Sequence, residues 1–309
     1  MFFITDMADE RRDIYRKANN LDDEINGIKC ELVENDMAKI TRVEILDLEG
    51  EKALNKPIGN YITIDLKKIS NLDMVEEEKI IEIISKEIGR LVDCNVEKDD
   101  DVLVVGLGNE NLVADALGSK VIENTKVTRH IKRYFPQYLD ENKRTISAIS
   151  PGVMGLTGIE TIEIVKGIVQ NINPKLIIAI DSLLSKNIER INKSIQISDT
   201  GIVPGSGVEN TQKELSKANL GIPVVAIGIP TVIESSSIVN DAINLFIEKL
   251  QKSKKSNEYL DKLKMQDNYE EVRKILNLKA LNLIVTPKEI DEIVEEMAFF
   301  ISSGINNAL

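Results

Sequence analysis

Two aspartates carry the strongest chemical signal in this sequence. Asp181 closes the apolar run KLIIAI, residues 175–180, and Asp115 stands just before apolar residues at helical spacing, Leu117, Val121 and Ile122. Upstream of Asp115 another apolar run, residues 102–105, passes straight into Gly106, Leu107, Gly108 and Asn109. Such a run ending in a glycine turn reads as a strand buried on both faces. Open α/β sheets bind their ligands beyond the carboxyl ends of such strands. Two carboxylates brought together there could share one proton, because like charges held close push one pKa up and the other down. One would act as general base toward a water while its protonated partner polarised a carbonyl. Glycine-rich loops nearby would let a peptide backbone approach.

Other chemistries find less support. His130 is the single histidine and sits beside Arg129, on a helix away from the converging loops, so it reads as structural or solvated. No nucleophile motif accompanies it. One histidine and two distant cysteines, Cys30 and Cys94, supply neither a zinc site nor a disulfide framework, and both thiols read as buried or half-buried. A dinucleotide fingerprint would need a glycine where Asn111 stands, and a P-loop would need Gly-Lys-Ser/Thr after the turn. Asp199-Thr200-Gly201 has the Asp-Thr-Gly triplet of pepsin-like and retroviral proteases, but those folds are all-β and use two triplets. Asp199 therefore reads as a turn residue or as support near the same cleft, with Asn109 a second such candidate. The bland reading stays open beside these: Gly106 and Gly108 simply permit a turn, and Asp115 is an N-cap.

The elements that must position the aspartates follow from periodicity. Residues 1–34 are highly charged and read as solvated helix or loop. Residues 41–48 and 61–66 alternate as strands with one wet face, and residues 74–92 carry an apolar stripe of Ile80, Ile81, Ile83, Ile84, Ile88 and Leu91. After the central strand come a strand at 145–149, the loop PGVMGLTG at 151–158, a helix at 159–171 and the strand ending on Asp181. Strand, helix and strand at this spacing imply parallel pairing with right-handed crossovers. Residues 191–198 read as an antiparallel ribbon, 221–229 as a third apolar strand and 236–250 as a helix. The polar tract 251–268 reads as a mobile surface insertion, and Thr286-Pro287-Lys288-Glu289 as a capping box opening a final helix at 287–301. No internal repeat is apparent.

The 309 residues, 42% of them hydrophobic, are enough for a sizeable core in one or two domains. A net charge of −12 disfavours direct contact with nucleic acid. The lack of a long apolar run argues against a membrane span, and residues 1–10 lack the form of a signal peptide, so a cytoplasmic protein is expected.

Longer stretches carry a resemblance. VLVVGLGN with DALGSKVIENTKVTRH, SAISPGVMGLTGIET, IAIDSL, ERINKSIQISDTGIVPGSG, KELSKANLGIPVVAIGIPTV and IVTPKEIDEIVEEMA occur in order. With them the chain resembles the germination proteases of spore-forming bacteria, covering residues 102–232 almost without a gap and again 283–309. Residues before about 100 match loosely, and 251–280 diverge.

The resemblance implies an atypical aspartic protease on an α/β fold, with a central mostly parallel twisted sheet flanked by helices as in hydrogenase-maturation proteases. It implies a zymogen, a homotetramer, no cofactor, and small acid-soluble spore proteins as substrates within the forespore or spore core. The family's two aspartates fall on Asp115 and Asp181. Thr5-Asp6-Met7-Ala8-Asp9-Glu10 is similar to the family's processing sequence, which implies cleavage between Asp6 and Met7. The expected organisation is a pro-segment at 1–6 and one α/β domain at 7–309, with its core at 102–250 and a helical part at 269–309. A metal-dependent hydrolase of the same fold, or a non-catalytic peptide- or nucleotide-binding module built on the GLGN turn, are the alternatives.

Overall fold

A computed structural model describes residues 5–138, 143–205, 213–252 and 283–309. In chain order the elements are α1 (Ala8–Ala18), β1 (Ile28–Glu34), β2 (Ala38–Ile45), α2 (Leu48–Leu54), β3 (Gly59–Leu66), α3 (Met74–Asp93) and β4 (Val102–Gly106). They continue with α4 (Leu117–Asn124), α5 (Arg129–Tyr134), β5 (Ile146–Ile149), α6 (Met154–Thr157), α7 (Thr161–Ile172), β6 (Leu176–Ser185) and β7 (Ser194–Ser198). The last are α8 (Lys217–Leu220), β8 (Val224–Glu234), α9 (Ser235–Lys252), β9 (Ile284–Val285) and α10 (Ile290–Ala308).

One sheet runs in the order β1-β2-β3-β7-β8-β6-β4-β5, with β9 added to β8. Its β5-β4-β6-β8 part is parallel, as the strand-helix-strand spacing predicts, whereas β1, β2, β3 and β7 pair antiparallel. Residues 191–198 thus contribute not a separate ribbon but β7, the strand that joins the two halves. The apolar runs are buried throughout, because helices cover both faces. One face packs under α3, α4 and α10 through Ile80, Ile84, Leu117, Val121, Val294 and Ile301. The other packs under α7 through Ile162 and Val165, and under α1 at its antiparallel end, where Ala8 meets Val43, Ile45 and Tyr61. This double cover also buries four consecutive residues of β3, so it lacks the expected wet face there.

Several boundaries move. The charged residues 1–34 hold α1 and β1, and Thr5, Met7, Ala8, Asp9 and Glu10 are buried rather than solvated. The half-buried guanidinium of Arg190, against Asp9 and Glu10, makes that tolerable. The final helix begins at Ile290 without a side-chain cap, because the Thr286 hydroxyl donates instead to the Thr231 carbonyl of β8 at 2.9 Å. Cys94 is exposed and Cys30 half-buried. Residues 253–268 of the expected surface insertion lie outside the described residues, and its first two end α9. Among the described residues no helix is long and apolar enough to cross a membrane.

The glycines of the central turn have a packing cause. A Cβ on Gly106 would fall 2.2 Å from the Gly118 carbonyl, and one on Gly118 would fall 2.3 Å from the Leu107 carbonyl. The start of α4 therefore lies directly on the end of β4, backbone against backbone, which is what aims the preceding turn. Gly118→Ala is expected to destabilise the fold by about 1–3 kcal/mol through overpacking. The measurement is the urea midpoint at unchanged slope, and an unshifted midpoint would refute the close approach.

Candidate active site

Strand β6 does not stop at Asp181 as its apolar run suggests. It continues to Ser185, while its neighbour β4 ends where Gly106 pairs with Ile180. Asp181 is thus the first residue of β6 beyond the end of β4, still paired to Gly228 of β8 on its other side. The turn leaving β4 folds back over this point, with the Leu107 N–H donating to the Ile180 carbonyl at 2.8 Å.

Asp115 ends a single 3₁₀ turn, Val113–Asp115, just ahead of α4. It does not cap that helix. Its Oδ2 accepts the Asn109 backbone N–H at 2.8 Å, so the GLGN turn is held by Asp115 itself, and Gly108 at φ +101° lies against the Asp115 carbonyl where a Cβ would clash. Asn109 acts through its backbone, and its side chain accepts from Asn111. The Thr231 hydroxyl of β8 donates to the Ala114 carbonyl at 2.7 Å and anchors the 3₁₀ turn to the sheet.

Asp181 is 3% exposed. Its Oδ1 accepts the Ser182 N–H at 2.9 Å and its Oδ2 faces the Gly205 N–H at 3.4 Å. Loss of hydration, then the nearby charge of Asp115, push its carboxyl up to about 8. Burial raises the half-buried Asp115 as well, against the lowering effect of the Asn109 N–H. Asp115 is the partner with more water around it. Two carboxyl groups in such unequal surroundings can divide the tasks of activating a water and polarising a carbonyl.

The N-terminal segment crosses the same face of the sheet. The Asp6 N–H donates to the Leu184 carbonyl at 3.1 Å, and the Asp6 carboxylate accepts the Leu184 N–H at 3.0 Å. The Gln196 amide of β7 donates to the Asp6 carbonyl at 3.0 Å and accepts the Ala8 N–H at 2.7 Å. On the far side of Met7 the buried acids are matched: Arg190 meets Asp9 at 2.6 Å, and the Thr63 hydroxyl donates to Asp9 at 3.1 Å. Glu10 accepts from the Thr5 and Ser185 hydroxyls and from the Lys186 N–H. A cavity of about 170 Å³ next to this segment is lined by Asp6, Arg11, Lys56, Leu183, Gln196 and Gly228 among others.

The other candidates separate from this centre. Asp199 accepts the Asn60 backbone N–H at 2.8 Å and its side-chain amide at 2.7 Å, so it fastens the start of β3. His130 is exposed on α5. Among the described residues no three histidine, cysteine, aspartate or glutamate side chains group to hold a metal. Gln196 and Arg190 escaped the sequence reading. Gln196 occupies the polar phase of an alternating strand, which signals a wet face unless the cover on that face is known.

A family model described as Germination protease matches residues 4–267. The chain belongs to the germination protease family. It is 44% identical to the germination protease of Caldanaerobacter subterraneus over 99% of this chain and 93% of that protein. With that of Clostridium tetani it shares 42% over 99% and 94%, and with that of Bacillus cereus 39% over 99% and 93%. The protein is accordingly a protease of spore germination. Among solved structures, a NiFe hydrogenase maturation protease from Thermococcus kodakarensis matches at 15% identity and a TM-score of 0.32, over 70% of this chain and 98% of that one, a likeness too slight to carry weight.

The raised acid at position 181 makes stability depend on pH with a definite sign. Between the ordinary carboxyl value of 3.8 and about 8, the unfolded chain releases this proton and the folded chain keeps it, so the group lowers stability as pH rises through that window. Asp181→Asn, neutral at every pH, is expected to melt a few degrees above wild type near neutral pH, with the difference closing toward acid. Equal melting curves across the window would mean that Asp181 titrates normally.

Proposed function

We propose that this germination protease is an aspartic-type endopeptidase, made as a zymogen, in which Asp181 is the acid and Asp115 the base. The observation that carries this reading is the single sheet face shared by the buried Asp181, whose carboxyl is pushed up, and the extended residues around Asp6 and Met7. Asp115 takes a proton from water as the water oxygen bonds to the Asp6 carbonyl carbon, and Asp181 gives its proton to the carbonyl oxygen. The tetrahedral diol then collapses: Asp115 passes its proton to the Met7 nitrogen as the C–N bond breaks, and one diol hydroxyl returns its proton to Asp181. The products are a carboxyl group on residue 6 and an amine on Met7, at the cost of one water.

Residues 1–6 are then the pro-segment and residues 7–309 the protease domain. The substrates are small acid-soluble spore proteins with a sequence like Thr5 to Glu10, met in the spore core. Arg190 beside Asp9 and Glu10, and Arg11 with Lys56 around Asp6, favour an acidic peptide at this cleft. The homotetramer belongs to the same reading through family membership.

The deciding experiment follows full-length chain and a small acid-soluble spore protein by mass spectrometry, with wild type beside Asp115→Asn and Asp181→Asn. Wild type is expected to lose residues 1–6 and to cut the substrate after an acidic residue. Each variant is expected to be slower by about 10³-fold or more, since each removes one half of the acid–base pair. Full activity in either variant would sink the aspartic mechanism.

A further inference from the structure

Resting on that reading, we infer that Gln196 is a third catalytic residue, which grips the scissile peptide and polarises its carbonyl as the water adds and Asp181 delivers its proton. The inference comes from register. Gln196 of β7 stands opposite Gly228 of β8, and Gly228 stands opposite Asp181 of β6. All three point to one face, the one on which Thr63, opposite Gln196 on β3, donates to Asp9. With strands spaced about 4.8 Å, the two outer side chains rise about 10 Å apart on either side of a residue that has none. A peptide unit fits that gap. A Cβ on Gly228 would instead meet the Leu183 side chain at 2.5 Å.

The peptide found there is the predicted scissile one. Gln196 Nε2 donates to the Asp6 carbonyl oxygen at 3.0 Å, and its Oε1 accepts the Ala8 N–H at 2.7 Å. The side chain therefore spans the Asp6–Met7 bond, holding one group on each side of it. Asp6 is also near enough for its charge to bear on Asp181. Gln196 is 7% exposed, so its donor acts where water competes little. A neutral N–H aimed at a carbonyl oxygen that gains charge while the water adds, before proton transfer from Asp181 is complete, strengthens its bond in the transition state, as preorganised donors do in acyl transfer. The second contact, to Ala8, changes little during reaction and serves to position.

The two roles are separable by substitution. Gln196→Glu keeps the acceptor for Ala8 and loses the donor, and Gln196→Met keeps the volume and loses both. The assay is processing of full-length chain at Asp6–Met7, with kcat and KM on a peptide carrying Thr5 to Glu10, and melting to verify the fold. Both variants are expected to lower kcat by about 100-fold or more, with Gln196→Met alone also raising KM. A folded variant of either kind with wild-type kcat overturns the carbonyl-polarising role, even if KM rises. Wild type that fails to cut at Asp6–Met7 sinks the underlying assignment of the cleavage site, whereas wild type that cuts beside equally active variants sinks only Gln196.

Discussion

The burial of one carboxyl group is the constraint on which the rest of this structure depends. Asp181 lies inside a strand, 3% exposed, where an ionised carboxylate would lose its hydration and, among the described residues, find two backbone N–H groups in return. Its carboxyl is pushed up accordingly, while the second carboxyl group, Asp115, sits on a turn with more water. Everything that holds Asp115 follows from the need to bring that turn over the end of β4. Gly106 and Gly118 let backbone meet backbone, and the Asp115 carboxylate ties down the loop that carries it. The electrostatic asymmetry between two identical side chains thus arises from their positions on strand and turn.

The same face accounts for the buried N-terminal segment. Asp9 and Glu10 occupy the first turn of α1, where the helix dipole favours negative charge, and Arg190 supplies the matching cation from the loop before β7. Those contacts fix the start of α1 against the sheet. The preceding residues must then leave across β7, β8 and β6, which brings the Asp6 carbonyl to Gln196 and the Asp6 N–H to Leu184. Two acids that would be costly to bury alone are what hold the peptide in line with Asp181.

The sheet divides the labour. Its parallel part supplies strand ends and the crossover turns that carry the carboxyl groups, as in other open α/β sheets. Its antiparallel part, β1 to β3 with β7, is covered by α1 and α2 and forms a floor under the peptide. Gly228 is where the two parts meet without a side chain, so the peptide crosses from one to the other.

Much of this was legible in local pattern. The runs at 102–105 and 175–180 are apolar without interruption, and only burial on both faces explains that, so the parallel strands and the neighbourhood of Asp115 and Asp181 follow from residue types alone. The stripe of α3 was equally plain, and its Asp73–Glu76 capping box sits where the helix begins. Charge misled where pairing is long-range: Asp9 and Glu10 look solvated until Arg190, some 180 positions away in the chain, closes on them. The polar phase of β7 likewise looked wet, because alternation reports which side a residue faces and not what covers that side. Sequence by itself determined most of the strands and helices and which two carboxyl groups stand near the carboxyl end of β4, since those depend on neighbours along the chain. Only the tertiary structure decided that the Asp181 carboxyl is buried and pushed up and that Gln196 meets the Asp6 carbonyl, since dielectric and cross-strand register are made by residues far apart in sequence.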